Sequence, residues 1–215
     1  MPDLNFAVQA AKPVAHAAAP LLALELRVEN GDATDIRNVA LQCQIRIEAG
    51  RRRYEPEEEP KLLDLFGEKE RWGQTLRSML WTHTSANVGS FRRSTTVDLP
   101  VPCTFDFNVA ATKYFHALEG GEVPLTLLFS GTIFYDDEQY GLQVAQIPWE
   151  KEARYRLPVA IWKQVIDAYY PNSAWLALRR DVFDRLHEYK MRHGIATWEQ
   201  AFERLLAEVE ERALV

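Results

Sequence analysis

The sequence predicts an α+β protein: mainly an antiparallel β-sandwich of seven to nine strands, with a short helical insertion and a three-helix C-terminal segment packed on it. Three observations predict it. Residues 123–135 put Val123, Leu125, Leu127, Phe129, Ile133 and Tyr135 on one parity and Thr126, Ser130 and Thr132 on the other, the period of a strand with one apolar face. Turn residues separate runs of the same kind across the first 157 residues, a spacing that favours a sandwich over a parallel sheet. After Pro158 the apolar period changes from two to that of a helix. The expected division is a β-domain over 1–157, interrupted by an insertion at about 51–78, and a helical segment over 158–215.

Taken in order, Leu4, Phe6 and Val8 alternate with polar neighbours in a first strand, and an Ala-rich connection carrying His16 runs from Pro13 to Pro20. Leu22, Leu24, Leu26 and Val28 alternate next, and Asn30-Gly31-Asp32 supplies turn chemistry. Val39, Leu41, Cys43, Ile45 and Ile47 oppose Asn38, Gln42, Gln44, Arg46 and Glu48, so this strand has one solvated face. In the insertion, Pro60 suits a first helical turn because its missing N–H needs no partner there, Leu62 to Phe66 give an apolar side, and Gly67 ends it. Strands resume at 76–83, with Met79 and Trp81 on one parity, and at 94–99, where Pro100 and Pro102 argue against a central position. A strand is expected over Phe105, Phe107 and Val109, then a turn or two of helix through Lys113 to Phe115. The strand over 123–135 is expected to face 39–47 and 22–28 across the core, and its hairpin partner runs from Gly141 to Ile147. A short run at 153–157 precedes helices from Pro158 to before Pro171, from Arg180 to His193 with a Gly194 stop, and after the Thr197/Gln200 capping box.

Composition bounds the function classes. A formal charge of -6 argues against a general attraction for nucleic acid or an anionic membrane. The N-terminus has no basic and apolar leader pattern, and no run of eighteen apolar residues exists, so a cytoplasmic location is expected. Cys43 and Cys103 lie far apart, outside any zinc or thioredoxin spacing, and read as reduced core thiols. No metal and no cofactor is expected.

The search for chemistry yields candidates rather than a constellation. His83 and His116 have no ligand at metal spacing and no nucleophile pattern beside them, so both read as groups at the rim of the core. Arg51, Arg52 and Arg53 with Tyr54 could grip an anion through guanidinium forks, or pair with Glu55 and Glu57 to Glu59 in a solvated loop. Trp72, Trp81, Phe91, Arg92 and Arg93 form a second candidate surface, although Trp81 also fits a core position. A ligand site built from Arg51 to Arg53, Trp72, Trp81 and His83 requires that they converge on one pocket. From Trp175 onward the order of elements resembles ribbon-helix-helix DNA-binding dimers. The expected strand reads Trp-Leu-Ala-Leu, however, and residues 172–215 hold seven Lys or Arg against eight Asp or Glu, so dimerisation through 172–215 is expected rather than DNA binding.

The runs Leu41-Gln42-Cys43-Gln44-Ile45-Arg46-Ile47-Glu48, Arg51-Arg52-Arg53-Tyr54, Leu65-Phe66-Gly67, Arg71-Trp72-Gly73, Leu80-Trp81-Thr82-His83, Asp98-Leu99-Pro100-Val101-Pro102-Cys103 and Lys113-Tyr114-Phe115-His116-Ala117-Leu118 together resemble an uncharacterised bacterial family. It is a domain of unknown function found mainly in actinobacteria and their neighbours, in genes near those of nickel-iron hydrogenases and their maturation factors. The resemblance implies a non-enzymatic accessory or interaction protein whose partner is a hydrogenase subunit or maturation factor. It implies no catalytic residue, and the paired Cys-x-x-Cys motifs that hold the hydrogenase metal centre are absent. The alternatives are a small anionic-ligand-binding protein or enzyme using residues 51–93, and a dimeric regulator acting through the tail.

Overall fold

The computed structural model of the chain describes residues 2–32, 34–105 and 108–213. Eight strands lie among them: β1 (Leu4–Pro13), β2 (Leu21–Asn30), β3 (Ile36–Ile47), β4 (Met79–Val88), β5 (Ser94–Pro102), β6 (Glu122–Asp137), β7 (Gly141–Gln146) and β8 (Glu152–Pro158). Every pairing is antiparallel. One sheet has the order β1-β2-β5, the other β4-β3-β6-β7 with β8 also on β6. This is the expected α+β, mainly antiparallel sandwich. The insertion holds two short helices, α1 (Leu63–Phe66) and α2 (Trp72–Thr75); α3 (Val109–Ala117) and α4 (Val159–Tyr169) come later, and α5 (Arg180–Arg192) and α6 (Trp198–Ala213) close the chain.

The alternation read from the sequence is the core. Leu22, Leu24, Leu26 and Val28 are buried from one sheet, and Val39, Leu41, Cys43, Ile45 and Ile47 from the other, where Leu125, Leu127, Phe129 and Ile133 join them. Phe6 stacks on Phe129 between the sheets, ring centroids 4.2 Å apart. The expectation that β6 faces both β2 and β3 across the core is half corrected: β3 is its hydrogen-bonded neighbour, with Leu127 opposite Ile45, and only β2 belongs to the facing sheet. Pro100 and Pro102 lie in β5, an edge strand, where a missing N–H leaves no ladder bond broken.

Strand β6 is flanked by three partners. Along one edge runs β3; on the other, β8 pairs with Glu122–Leu128 and β7 with Thr132–Asp137. The handover falls at Gly131, whose φ of +138° lies outside the range of ordinary side chains, and a Cβ there would stand 2.1 Å from the Ala40 carbonyl oxygen. In β4 the register shifts so that Thr82 faces Ile45 and Leu80 faces Arg46, leaving Trp81 as the extra residue of a bulge. Simple alternation fails there, and Trp81 and Thr82 are both buried.

Of the strand expected over 105–109, Asp106 and Phe107 lie outside the described residues, Phe105 lies in a turn, and Val109 already opens α3. Asn108 caps that helix by accepting from the Ala111 N–H at 2.9 Å, and its amide donates to the carbonyls of Leu80 and Trp81, tying the helix to the bulge. The buried face of α4, Val159, Trp162, Val165 and Ile166, serves a helix that neighbours β1, β2 and β8.

Met1–Ser173 form one compact unit and Ala174–Val215 a second. In the second, Phe183 of α5 meets Trp198 of α6 at 5.3 Å, and Tyr189 donates to Glu208. Gly194, at φ +63°, ends α5 as expected, and the Gln200 N–H donates to Thr197 at 3.2 Å. Residues 174–179 form no strand, so the strand of the ribbon-helix-helix order of elements is missing. An extended segment with no partner strand has nothing to satisfy a ladder.

Candidate functional site

The chain leaves β3 through a tight turn at Ala49–Arg51, which delivers Arg52 to the inner wall of the insertion. Its guanidinium grips Glu58 with both arms, at 2.6 and 2.9 Å, and donates to the carbonyls of Gly120 and Glu122. Glu58 in turn accepts the backbone N–H groups of Glu55 and Glu119, and it has no exposed surface. Burial opposes both charges, yet the mutual attraction and the amide donors outweigh it. The Glu58 carboxyl is held below the usual carboxylate range and the Arg52 guanidinium is raised. The loop therefore departs from the expected solvated pairing: one Arg and one Glu of the runs form a buried bidentate clamp.

Beside the clamp, the Tyr54 hydroxyl donates to the Ala49 carbonyl, which commits its single proton, so the 2.9 Å bond to Tyr114 has Tyr114 as donor. Burial pushes the Tyr114 phenol up, and donation to Tyr54 adds to this. Trp72 meets the Tyr54 ring edge-on at 5.3 Å and donates to the Gly67 carbonyl. Aromatic contacts continue inward through Tyr114 and Phe115 to Trp162, stacked at 5.0 Å. Arg52, Tyr54 and Trp72 thus hold the insertion to the end of the sandwich. Arg51 and Arg53 line an adjoining cavity of about 540 Å³, with Arg156 on its wall and the acids Glu55, Glu58 and Glu122 among them.

The remaining candidates lie elsewhere. Trp81 is a core residue, 3 % exposed and 4.9 Å from Phe115. Arg92 and Arg93 sit near the start of β3, where Phe91 bridges Ile36, and the Asn30 side chain donates to the Arg92 carbonyl. The arginine loop follows the opposite end of β3, about 36 Å away along a twelve-residue strand. His83 faces solvent on β4, opposite Gln44. The nine sequence candidates therefore occupy separate places, and the single convergent pocket is not formed. His116 lies at the core rim, edge-on to Trp162 at 5.0 Å; burial and then Lys163 lower its imidazole, with Asp167 opposing.

Around His83 lies a groove the sequence reading did not identify. The outward side chains of Gln42 and Gln44 on β3, His83 and Ser85 on β4, and Leu128 and Ser130 on β6 border a cavity of about 590 Å³ with Trp149 at its rim. The one legible signal is an aromatic in a Pro-Trp-Glu-Lys turn, where nothing apolar is needed for a turn. A second surface is the free flank of the hairpin: Tyr140, Leu142 and Val144 are 70 %, 62 % and 58 % exposed. Both thiols are core groups, as expected: burial pushes Cys43 and Cys103 up to about 12. Among the described residues no three His, Cys, Asp or Glu side chains gather for a metal ion, and no helix is long and apolar enough to cross a membrane.

The family model described as "Family of unknown function (DUF6084)" matches residues 1–214. No curated protein matches the chain. Among solved structures, the CARDB domain of a Pyrococcus furiosus protein in complex with two metal ions is 10% identical over 73% of this chain and 92% of its own, with a TM-score of 0.28. A putative late embryogenesis abundant protein is 13% identical over 74% of this chain and 73% of its own, with a TM-score of 0.34. The putative ApaA protein of Bordetella pertussis is 15% identical over 73% of this chain and 93% of its own, with a TM-score of 0.24.

Proposed function

The chain belongs to the DUF6084 family of unknown function, and we propose that it works as a non-enzymatic interaction protein that docks a partner along β7. The observation that carries this is the state of that edge. β4 lies beside β5, and β1 beside β8, so those flanks are covered, whereas β7 pairs with β6 alone. An open edge is a template for another strand, and natural proteins usually blunt it with charge. Here its exposed side chains are Leu142, Val144 and Gln146, none of them charged, with Tyr140 at the turn. A partner that adds an extended segment to β7 would satisfy its free backbone groups and cover these side chains together. The arginine loop supports the same reading, because its clamp spends Arg52 and Glu58 on holding the insertion. The resemblance to an actinobacterial family encoded near nickel-iron hydrogenases points to a hydrogenase subunit or maturation factor as that partner.

The test is affinity purification of the tagged chain from its native host. Hydrogenase subunits or maturation factors are expected with the wild type and depleted at least tenfold with Leu142→Asp/Val144→Asp. Their absence from the wild-type sample, or equal recovery with the variant, would sink the proposal.

A specific observation favours self-association as a second reading. Ala201 is the sole buried residue in Ala174–Val215 among the described side chains, while Leu176, Leu206 and Val209 are 68 %, 63 % and 64 % exposed. A unit this small rarely sustains a core alone, and a second copy would complete a four-helix arrangement. Light scattering should give twice the 24.8 kDa chain mass, and a monomer at that mass overturns it.

A further inference from the structure

We infer that the groove beneath Trp149 is a binding site for a neutral oligosaccharide. Its floor is the outer face of three neighbouring strands. Gln44 stands between His83 and Leu128, and Gln42 between Ser85 and Ser130, in register across β4, β3 and β6. Strand spacing makes this a grid about 10 Å wide, with its two rows about 7 Å apart.

Three features define the ligand. The first is charge: although 26% of the sequence is Asp, Glu, Lys or Arg, none of these lines the groove. The charges that flank it, Glu152 opposite Leu128 and Arg154 beside it on β8, pair with each other. The second is free hydrogen-bonding capacity. Among the described residues, the side chains of Gln42, Gln44, His83, Ser85 and Ser130 make no hydrogen bond within the protein, whereas Gln143 and Gln146 are engaged along the hairpin. Amides and hydroxyls each offer donors and acceptors, which matches a ring of sugar hydroxyls that does the same. The third is Trp149, 89 % exposed in the turn between β7 and β8. An indole held in water covers no core; its electron-rich face suits the polarised C–H groups of a pyranose ring.

The turn that carries Trp149 is anchored rather than loose. The Ile147 N–H donates to the Gly131 carbonyl, the Phe129 N–H to the Lys151 carbonyl, and the Lys151 ammonium to Asp3 and Asn5. The platform is therefore fixed beside Ser130, at the gap in β6 between its β8 and β7 partners. Preorganisation of this kind reduces the ordering penalty that an open groove otherwise imposes on a weak ligand. The site shares no residue with the β7 docking surface, so each proposal can fail without the other.

The experiment titrates the full chain with cellohexaose, maltohexaose and chitohexaose, and with a heparin-derived hexasaccharide, reading the Trp149 indole N–H by NMR. At least one neutral hexasaccharide should shift that resonance saturably. Trp149→Ala and Gln42→Ala/Gln44→Ala should each weaken binding, followed by calorimetry, at least tenfold, while Leu142→Asp/Val144→Asp leaves it unchanged. Trp149 is exposed, so its removal leaves the fold intact, which the melting curve verifies. The inference is overturned if no neutral sugar moves the indole at millimolar concentration, if Trp149→Ala binds as well as the wild type, or if the sulfated sugar binds more tightly.

Discussion

Glu58 has two neighbours of the same type, Glu57 and Glu59, and nothing in the local sequence separates them. What separates them is three-dimensional: Glu58 alone meets Arg52 and two backbone N–H groups. Leaving one partner of a buried pair uncompensated is far more damaging than losing an exposed one, so Glu58→Gln should destabilise the protein by about 3–5 kcal/mol in urea unfolding. The pH dependence has a defined sign. The folded carboxyl titrates below its unfolded value of about 4.3, so its contribution is complete above that pH and disappears as pH falls through the folded value. Glu58→Gln should accordingly flatten the acid limb of the stability profile; an unchanged limb would show that other carboxylates carry it. The thiols give a second test at this scale. With Cys43 and Cys103 raised to about 12, neither should react with a thiol reagent at pH 8 until the chain is unfolded. Their burial was legible, since Cys43 shares the apolar parity of its strand.

At the scale of the elements, Gly131 is a position where β6 admits no side chain. Both its φ and the nearness of the Ala40 carbonyl oppose a Cβ, so Gly131→Ala should cost roughly 2–4 kcal/mol. Ser130→Ala, at an exposed neighbour with no hydrogen bond, should stay within about 0.5 kcal/mol in the same denaturant series. Most strands were readable because a two-sided environment stamps a period of two on the sequence, and two helix ends because Gly194 and Thr197 carry their own capping chemistry. Pairing beyond the β6–β7 hairpin was not readable. A period reports which residues face inward but not which strand lies alongside, so the placement of β3 next to β6 and the sharing of β6 by β7 and β8 have no local signature. The bulge at Trp81 was hidden for a related reason: it appears as a register shift against β3, which one strand alone cannot show. The groove beneath Trp149 needs three strands and a turn, and the sequence reading found only its His83.

For the molecule as a whole, the division after Ser173 predicts where it can be cut. Residues 174–179 carry no helix or strand and contain Arg179, so limited trypsin treatment should cleave at Arg179 or Arg180 and leave the larger fragment with a cooperative melt. A fragment that unfolds on cleavage would show that the tail is needed for the sandwich. The covered flank where β1 meets β8 has a further consequence. Lys151 reaches back to Asp3 across 148 residues, and Tyr169 donates to the Ala17 carbonyl across 152. The first strand can pair with β2 at once, but its other flank must wait for the last strand. During synthesis, β6 emerges with one edge unclaimed and keeps it until β7 and β8 arrive. Folding is bound to the slow class of long-range β topologies, and the growing chain spends that interval exposed to aggregation, so chaperone supply should govern its yield.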